Sequence, residues 1–389
     1  MSVGRVFRGV GHSRSDVCSP VKIALLAHLK YPIAQPFSGG LEMHTHLLAS
    51  TLRARGHKVT LYASEGSDPR GCLKAVCAPT GSAIDDASAL RIDRAELVAY
   101  EAMVADVARG DFDIIHNNSL HYLPLLRARD LGAPMVTALH TPPFEPFVRG
   151  VKARANDMTF AAVSESLARE WLPFIDEPLV IGNGIDLDAF AYSAAPKGEP
   201  HAIWMGRLVP EKGPHLAIDA ARVAGIPLKF AGPQSNRAYW DAEIAPRLGS
   251  DITYLGHLGH ADLARRVGEA HVALCTPRWE EPFGLVLAEF LACGTPVAAF
   301  ARGAIPDILD ETSGVLAQAD DPVDLGRALS RAIRLDRHDC RRRAEHLFDV
   351  DTMTDRYEAL YRDEIRRWST PVTLLPVPAG ARATLLDNA

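Results

Sequence analysis

Residues 277–307 read Pro-Arg-Trp-Glu-Glu-Pro-Phe-Gly-Leu-Val-Leu-Ala-Glu-Phe-Leu-Ala-Cys-Gly-Thr-Pro-Val-Ala-Ala-Phe-Ala-Arg-Gly-Ala-Ile-Pro-Asp. Pro277 and Pro282 mark a loop. From about Leu285 the residues are apolar with helical spacing, and Gly294 supplies a residue suited to a left-handed helix end. Residues 296–300 then form a short apolar run that fits a buried strand, closed by another glycine turn. Two carboxylates punctuate the stretch, Glu281 before the helix and Glu289 inside it. Glu289 stands between Ala288 and Phe290, and full burial without a partner would be costly, so a polar ligand or a cation is expected to meet it. An ionised carboxylate accepts several hydrogen bonds, which suits polyhydroxylated ligands.

The strand–loop–helix pattern repeats outward from there. Residues 21–29 are nearly all apolar, as in a central parallel strand. A Pro/Gly loop at 30–40 follows, then helical spacing over 41–55 ending at Gly56 and a strand at 58–63. Further strands are expected at 113–116, 135–139, 159–163 and 179–181, with a helix at 94–108. Ser164 is placed to cap a helix over 165–171, and Gly182-Asn183-Gly184 reads as a turn tolerant of positive φ. Residues 192–200 break the composition and mark a domain boundary. The pattern restarts with strands at 201–205, 227–231, 252–255, 271–275 and 315–316, and helices at 214–223, 261–269 and 322–335. Two successive βα arrays imply an α/β protein with two doubly wound, Rossmann-like parallel sheets facing across a cleft, where ligands meet the carboxyl ends of the strands.

The assigned parts are a flexible arm at 1–20, a first domain at 21–191, a second at 200–350, a last helix at 351–368 and a flexible tail at 369–389. The 389 residues suit two domains. The formal net charge of -6 leaves no general basic field for nucleic acid. No apolar run approaches the ~20 residues that span a bilayer, and no signal-peptide pattern is read at the start. The six cysteines lack metal-site spacing, and Cys275 and Cys293 sit in apolar runs as small buried hydrophobes, consistent with a reduced, cytoplasmic protein.

Candidate chemistry falls just after strands. Gly39-Gly40 precedes a helix, where backbone N–H groups and the helix end favour an anion, although an ordinary turn reads as well. Arg207 and Lys212 follow the strand at 201–205; Arg grips a diphosphate bidentately and Lys supplies a point charge, while simple surface charge is the alternative. His140 ends a strand with functional and structural readings evenly balanced, and His116 reads more as a brace beside Asn117 and Asn118. Asp111-Phe112-Asp113 matches a metal-binding DxD on paper, but it lies at the wrong end of its strand. His44 and His46, two apart on a helix, point about 200° apart and cannot share a metal. No metal site is assigned.

Taken in order, Gly39-Gly40, Asn183-Gly184-Ile185-Asp186, Gly206-Arg207 with Lys212-Gly213, Glu281-Pro282-Phe283-Gly284-Leu285 with Glu289, and Gly294-Thr295-Pro296-Val297 resemble glycosyltransferase family 4, the retaining GT-B enzymes, over about residues 21–368. The resemblance implies that Glu289 holds the ribose hydroxyls of a nucleotide sugar and Glu281 the hydroxyls of the transferred sugar. Arg207 and Lys212 would stabilise the leaving diphosphate of a UDP or GDP sugar. Gly40, with Gly39, would contact phosphate from the other domain, and His140 the sugar or the reacting centre. The segment Gly256-His257-Leu258 would lie near the base, with Phe283, Gly284 and Leu285 lining the donor site. It further implies metal-independent catalysis with no cofactor beyond the donor, and a helix at 351–368 crossing back to the first domain.

One departure stands out. Residues 303–307 read Gly-Ala-Ile-Pro-Asp where the family often has Gly-Gly before Pro-Glu, so a methyl at Ala304 is expected to crowd the donor. Trp279 reads equally as a pocket wall or as packing. The function expected is retaining transfer of a hexosyl group from a nucleoside-diphosphate sugar, a UDP sugar first, to a hydroxyl of a small or glycan acceptor. The Pro- and aromatic-rich loops 30–37 and 142–150 point to a small or partly apolar acceptor, and the helix at 41–55, with only Arg53 and Arg55 at its end, points to a soluble one with at most weak membrane association. The alternatives are a sugar-nucleotide epimerase or other GT-B enzyme, such as a phosphorylase, and a turnover-deficient nucleotide-sugar-binding protein.

Overall fold

The computed structural model describes residues 19–68, 70–154 and 158–370. The expected arm and tail therefore lie almost wholly outside the described residues. Among the described residues, thirteen strands form two parallel sheets. The first contains β1 (Lys22–Ala27), β2 (Lys58–Ala63), β3 (Cys72–Ala75), β4 (Ile114–Asn118), β5 (Met135–Leu139), β6 (Thr159–Ala162) and β7 (Leu179–Val180) in the order β3-β2-β1-β4-β5-β6-β7. The second contains β8 (Ala202–Met205), β9 (Leu228–Ala231), β10 (Ile252–Tyr254), β11 (Val272–Cys275), β12 (Val297–Phe300) and β13 (Gly314–Ala317) in the order β10-β9-β8-β11-β12-β13.

Each sheet reverses its winding direction once, between β1 and β4 in the first and between β8 and β11 in the second. A doubly wound sheet opens its ligand crevice at that point. The loops carrying Gly39, Arg207 and Glu281 all leave strands that flank these two positions. Registers such as Ile23 against Val59 and Ile114 align the apolar residues of the central strands. Ile23, Ala24, Leu25, Leu26 and Ala27 are fully buried, the result of covering a parallel sheet on both faces.

Three helices matter most for the site. Helix α1 (Gly40–Ala54) begins at the glycine pair, α2 (Leu285–Ala292) carries Glu289, and α3 (Val350–Ser369) returns to the first domain. There Arg55 pairs with Asp351 at 2.8 Å and Asp355 at 2.6 Å, and His57 contacts Glu358 at 3.0 Å. Gly284 (φ 89°) and Gly294 (φ 77°) bracket α2 in the left-handed region that favours glycine.

Several local expectations are revised. The helix expected at 94–108 begins at Asp86, because Asp85 and Ser88 form a reciprocal N-terminal cap ahead of its polar first turns. Strand β3 was not expected, since its side chains are largely exposed and leave no apolar pattern. Gly182 and Gly184 do not take positive φ. A Cβ at Gly184 would stand 2.5 Å from the Val350 Cα, so this glycine permits close approach to the start of α3 rather than a left-handed turn. Residues 193 and 197 of the composition break are tied to the second domain through Ser193 N–H to Cys293 O (3.1 Å) and Lys197 N–H to Glu269 O (2.9 Å). Arg337 reinforces that strap from within, donating to the carbonyls of Ser193, Gly268, Ala270 and Cys293.

Candidate active site

On the second-domain wall, the β8 loop and the β11 loop bring Lys212 and Glu281 together. Lys212 Nζ lies 2.7 Å from Glu281 Oε2, and Trp279 Nε1–H donates to the same oxygen at 3.0 Å. The ammonium also sits 5.2 Å from the centre of the Trp279 ring, a favourable cation–π distance. Trp279 therefore has a polar task as well as packing: it and Lys212 converge on one carboxylate oxygen. Thr276 adds support by donating to the Lys212 carbonyl at 2.9 Å and receiving Trp204 Nε1–H at 2.9 Å.

Arg207 stands apart from that trio. It is about half exposed, and its recorded ionic neighbour is Glu211 at 3.8 Å. The two cations expected to share a diphosphate thus differ in setting, one held by a carboxylate and one nearly free to turn. Glu289 keeps part of its surface exposed. The protein packed around it pushes its carboxyl up to about 8, by desolvation alone. Among the described residues its side chain has no ion pair or hydrogen bond.

The loop after β12 corrects the expectation for Ala304. Its methyl is fully buried in the core, at the start of the turn Ile305–Ile308. Gly303 is the sensitive position: its φ is 55°, and a Cβ there would stand 2.3 Å from both N and O of Glu281. Ala304 N–H donates to Glu281 O at 2.9 Å and Gly303 N–H to Glu280 Oε2 at 2.7 Å, so this loop fixes the Glu281 backbone.

The first domain closes over the same loop. A Cβ on Gly40 would stand 2.6 Å from Leu285 Cδ1, which places the start of α1 against the start of α2 across the cleft. Gly39 lies beside Glu42, whose Oε2 would be 3.1 Å from a Cβ there. Ser164 caps its helix by accepting from Leu167 N–H (3.0 Å) and also donates to Pro282 O at 2.7 Å, an interdomain bond that sequence reading missed. Phe283 packs near Gly182, with its ring 5.7 Å from that of Phe348. Gly256 (φ 81°) turns the loop after β10 that carries Leu258.

His140 sits at the end of β5 in a polar cluster. Its Nε2 lies 3.1 Å from Asn118 Oδ1, which also lies 2.9 Å from His116 Nε2. His116 Nδ1 in turn meets the Tyr361 hydroxyl of α3 at 2.7 Å. Burial pushes His140 down to about 3 and His116 to about 4, so both are neutral at ordinary pH. Asn118 and Tyr361 were not singled out by sequence; the only signal was the Asn pair beside His116. The DxD pair lies at the opposite end of the sheet, where Asp113 accepts from Lys22 N–H at 2.7 Å and Asp111 pairs with the Lys22 side chain. Among the described residues no cluster of three or more His, Cys, Asp or Glu could hold a metal ion.

Two α/β domains closing over carboxylates, cations and a glycine-led helix define a GT-B glycosyltransferase. Solved structures share this architecture. Sucrose-phosphate synthase from Thermosynechococcus elongatus aligns at a TM-score of 0.72 with 22% identity, over 89% of this chain and 100% of that one. Anabaena HepE in complex with UDP and glucose aligns at 0.69 with 18% identity, over 88% and 100%. The family described as Glycosyltransferase Family 4 matches residues 38–189, and that described as Glycosyl transferases group 1 matches 188–347. The chain belongs to glycosyltransferase family 4. Phosphatidyl-myo-inositol mannosyltransferase of Mycobacterium tuberculosis is 26% identical over 88% of this chain and 92% of its own length. D-inositol 3-phosphate glycosyltransferase of Mycobacterium avium is 31% identical over 49% and 50%.

Proposed function

We propose that this glycosyltransferase moves a hexosyl group from a nucleoside-diphosphate sugar, a UDP sugar first, to a hydroxyl of a polyol or glycan acceptor, with retention at the anomeric carbon. The observation that carries the reading is the Lys212–Glu281–Trp279 trio, together with Glu289, whose side chain has no partner among the described residues. Glu281 receives sugar hydroxyls, and Glu289 receives those of the ribose. Lys212 and Arg207 meet the negative charge that grows on the diphosphate as the glycosidic bond breaks, the kind of stabilisation that usually dominates such a step. The N-terminus of α1 at Gly39 and Gly40 faces the same charge from across the cleft.

The UDP preference draws support from the uridine ligand of a structural neighbour. The polyol acceptor draws support from the inositol named for both relatives. Retention rests on the family resemblance, in which the leaving phosphate takes the acceptor proton. A fully buried Ala304 methyl weighs against the turnover-deficient alternative. Incubation with UDP and GDP hexoses and a panel of inositol acceptors, followed by NMR of the anomeric proton, tests the proposal. The expected product carries the donor's anomeric configuration. Product of inverted configuration overturns retention, and no transfer or hydrolysis from any nucleotide sugar overturns the enzyme reading.

A further inference from the structure

We propose that Asn118 is a positioning residue that fixes which nitrogen of His140 carries the proton, resting on the transferase reading above. Its amide oxygen is shared by two imidazoles, at 3.1 Å from His140 Nε2 and 2.9 Å from His116 Nε2. An oxygen that accepts from both makes each histidine the Nε2–H form. The amide is turned that way by Nδ2, which donates to Thr45 Oγ1 of α1 at 3.2 Å. His116 is then left with a bare Nδ1, and the Tyr361 hydroxyl donates to it at 2.7 Å. His140 is left with a bare Nδ1 that has no protein partner among the described residues and is not among the fully buried unpaired nitrogens. That nitrogen is an acceptor for a substrate hydroxyl. The chain Tyr361–His116–Asn118–His140 thus carries the seating of α3 on the first domain into the orientation of one imidazole.

The groups around this chain keep it neutral. His44 of α1 stacks edge-on with His140 at 4.6 Å between ring centres. Tyr357 of α3 lies edge-on to His116 at 4.9 Å. His28, just beyond β1, lies 3.1 Å from Glu42 Oε1 of α1, and its charge would oppose a proton on His140. Burial is the largest influence on His140, His116 and His44, and it lowers all three. A second-layer hydrogen bond is a common way to fix a tautomer.

Long-range proton–nitrogen NMR of the full chain, with His140→Gln and His116→Gln spectra to assign signals, reads the tautomers directly. The Nε2–H form of both is expected, with His140 becoming a tautomer mixture in Asn118→Ala. An Nδ1–H signal for His140 in the unaltered protein overturns the proposal, whether or not the protein transfers sugar. Kinetics supply the second arm. Asn118→Ala should lower kcat by about 10- to 100-fold with donor affinity unchanged, while Asn118→Asp, which can accept but not donate, should recover most of that at pH 8. Asn118→Asp should also lose activity on acidification at a pH at least one unit above that of the unaltered protein, because a carboxylate favours the imidazolium. An Asp variant as impaired as the Ala variant at every pH overturns the proposal.

Discussion

The two walls of the cleft are built on opposite principles. On the first-domain wall, His140, Asn118, His116 and Tyr361 are joined in one hydrogen-bonded chain that reaches α3 and leaves the His140 Nδ1 as its open acceptor. On the second-domain wall, Lys212 and Glu281 compensate each other, Glu289 has no partner among the described residues, and Arg207 is loosely placed. A saturated network is rigid and presents one fixed group; an unsaturated one carries desolvation that a ligand can relieve. The first wall is preorganised before substrate arrives. Under the proposed function, the hydroxyls and phosphates of the donor would supply the partners that the second lacks.

The largest test of this contrast is Lys212→Ala. It removes a cation from the diphosphate and leaves Glu281 with Trp279 as its one remaining side-chain donor. Turnover should fall by about 10²–10³-fold, as for the loss of one oxyanion donor, and steady-state kinetics with saturating donor measure it. Arg207→Ala should cost at least about 10²-fold by the same argument. Normal turnover in both variants would place the leaving diphosphate elsewhere and break the comparison.

Backbone geometry gives the next test. Gly303→Ala forces a side chain into a left-handed φ and against the Glu281 backbone at 2.3 Å. The strain is on the order of 1–3 kcal/mol, and Glu281 must move, so thermal stability and turnover should both drop. Ala304→Gly should cost only about 1 kcal/mol of stability through lost packing and backbone entropy, with donor affinity unchanged. A strong effect of Ala304→Gly on donor affinity would return that methyl to the donor site.

How far the sequence was legible follows from what each feature depends on. The two βα arrays were readable because central parallel strands are apolar along their whole length, as in residues 21–29. Helix α2 was readable because glycines bracket it. The glycine at 303 and the two glutamates were readable as motif residues. Contacts across long separations were not. Lys212 and Glu281 are 69 residues apart, and Tyr361 and His116 are 245 apart. Nothing local in either segment encodes the partner. The burial of the Ala304 methyl was equally hidden, since it depends on whether the loop enters a helical turn at that residue.

The Glu289 carboxyl offers a pH test. Its pKa is raised from 4.5 to about 8 by burial. The empty protein therefore holds more protons than the unfolded chain between those values, and stability should decline as pH rises from about 4.5 through 8. In the proposed role, ribose hydroxyls would donate to the ionised form, so donor affinity should rise over the same direction, by about tenfold or more between pH 6 and 8. Glu289→Gln should flatten both dependences, as read by thermal shift and by calorimetric titration with a UDP sugar. A pH-independent affinity in the unaltered protein would mean that this carboxyl does not meet the donor.

The smallest expected effect is the most discriminating for the second wall. Trp279→Phe keeps the ring over Lys212 Nζ and deletes only the Nε1–H donated to Glu281 Oε2 at 3.0 Å. A hydrogen bond to a charged group contributes about 1.5–3 kcal/mol in a buried setting, but Lys212 still holds the same oxygen, so the loss should be nearer 1 kcal/mol, about fivefold in kcat/KM. If Glu281 is free until the donor arrives, the loss should appear in KM, because the carboxylate must be reoriented on binding. If Trp279 holds Glu281 for the reacting sugar, kcat should fall and KM should stay. The second outcome would make this wall partly preorganised too, and the contrast between the two sides would reduce to Glu289 and Arg207.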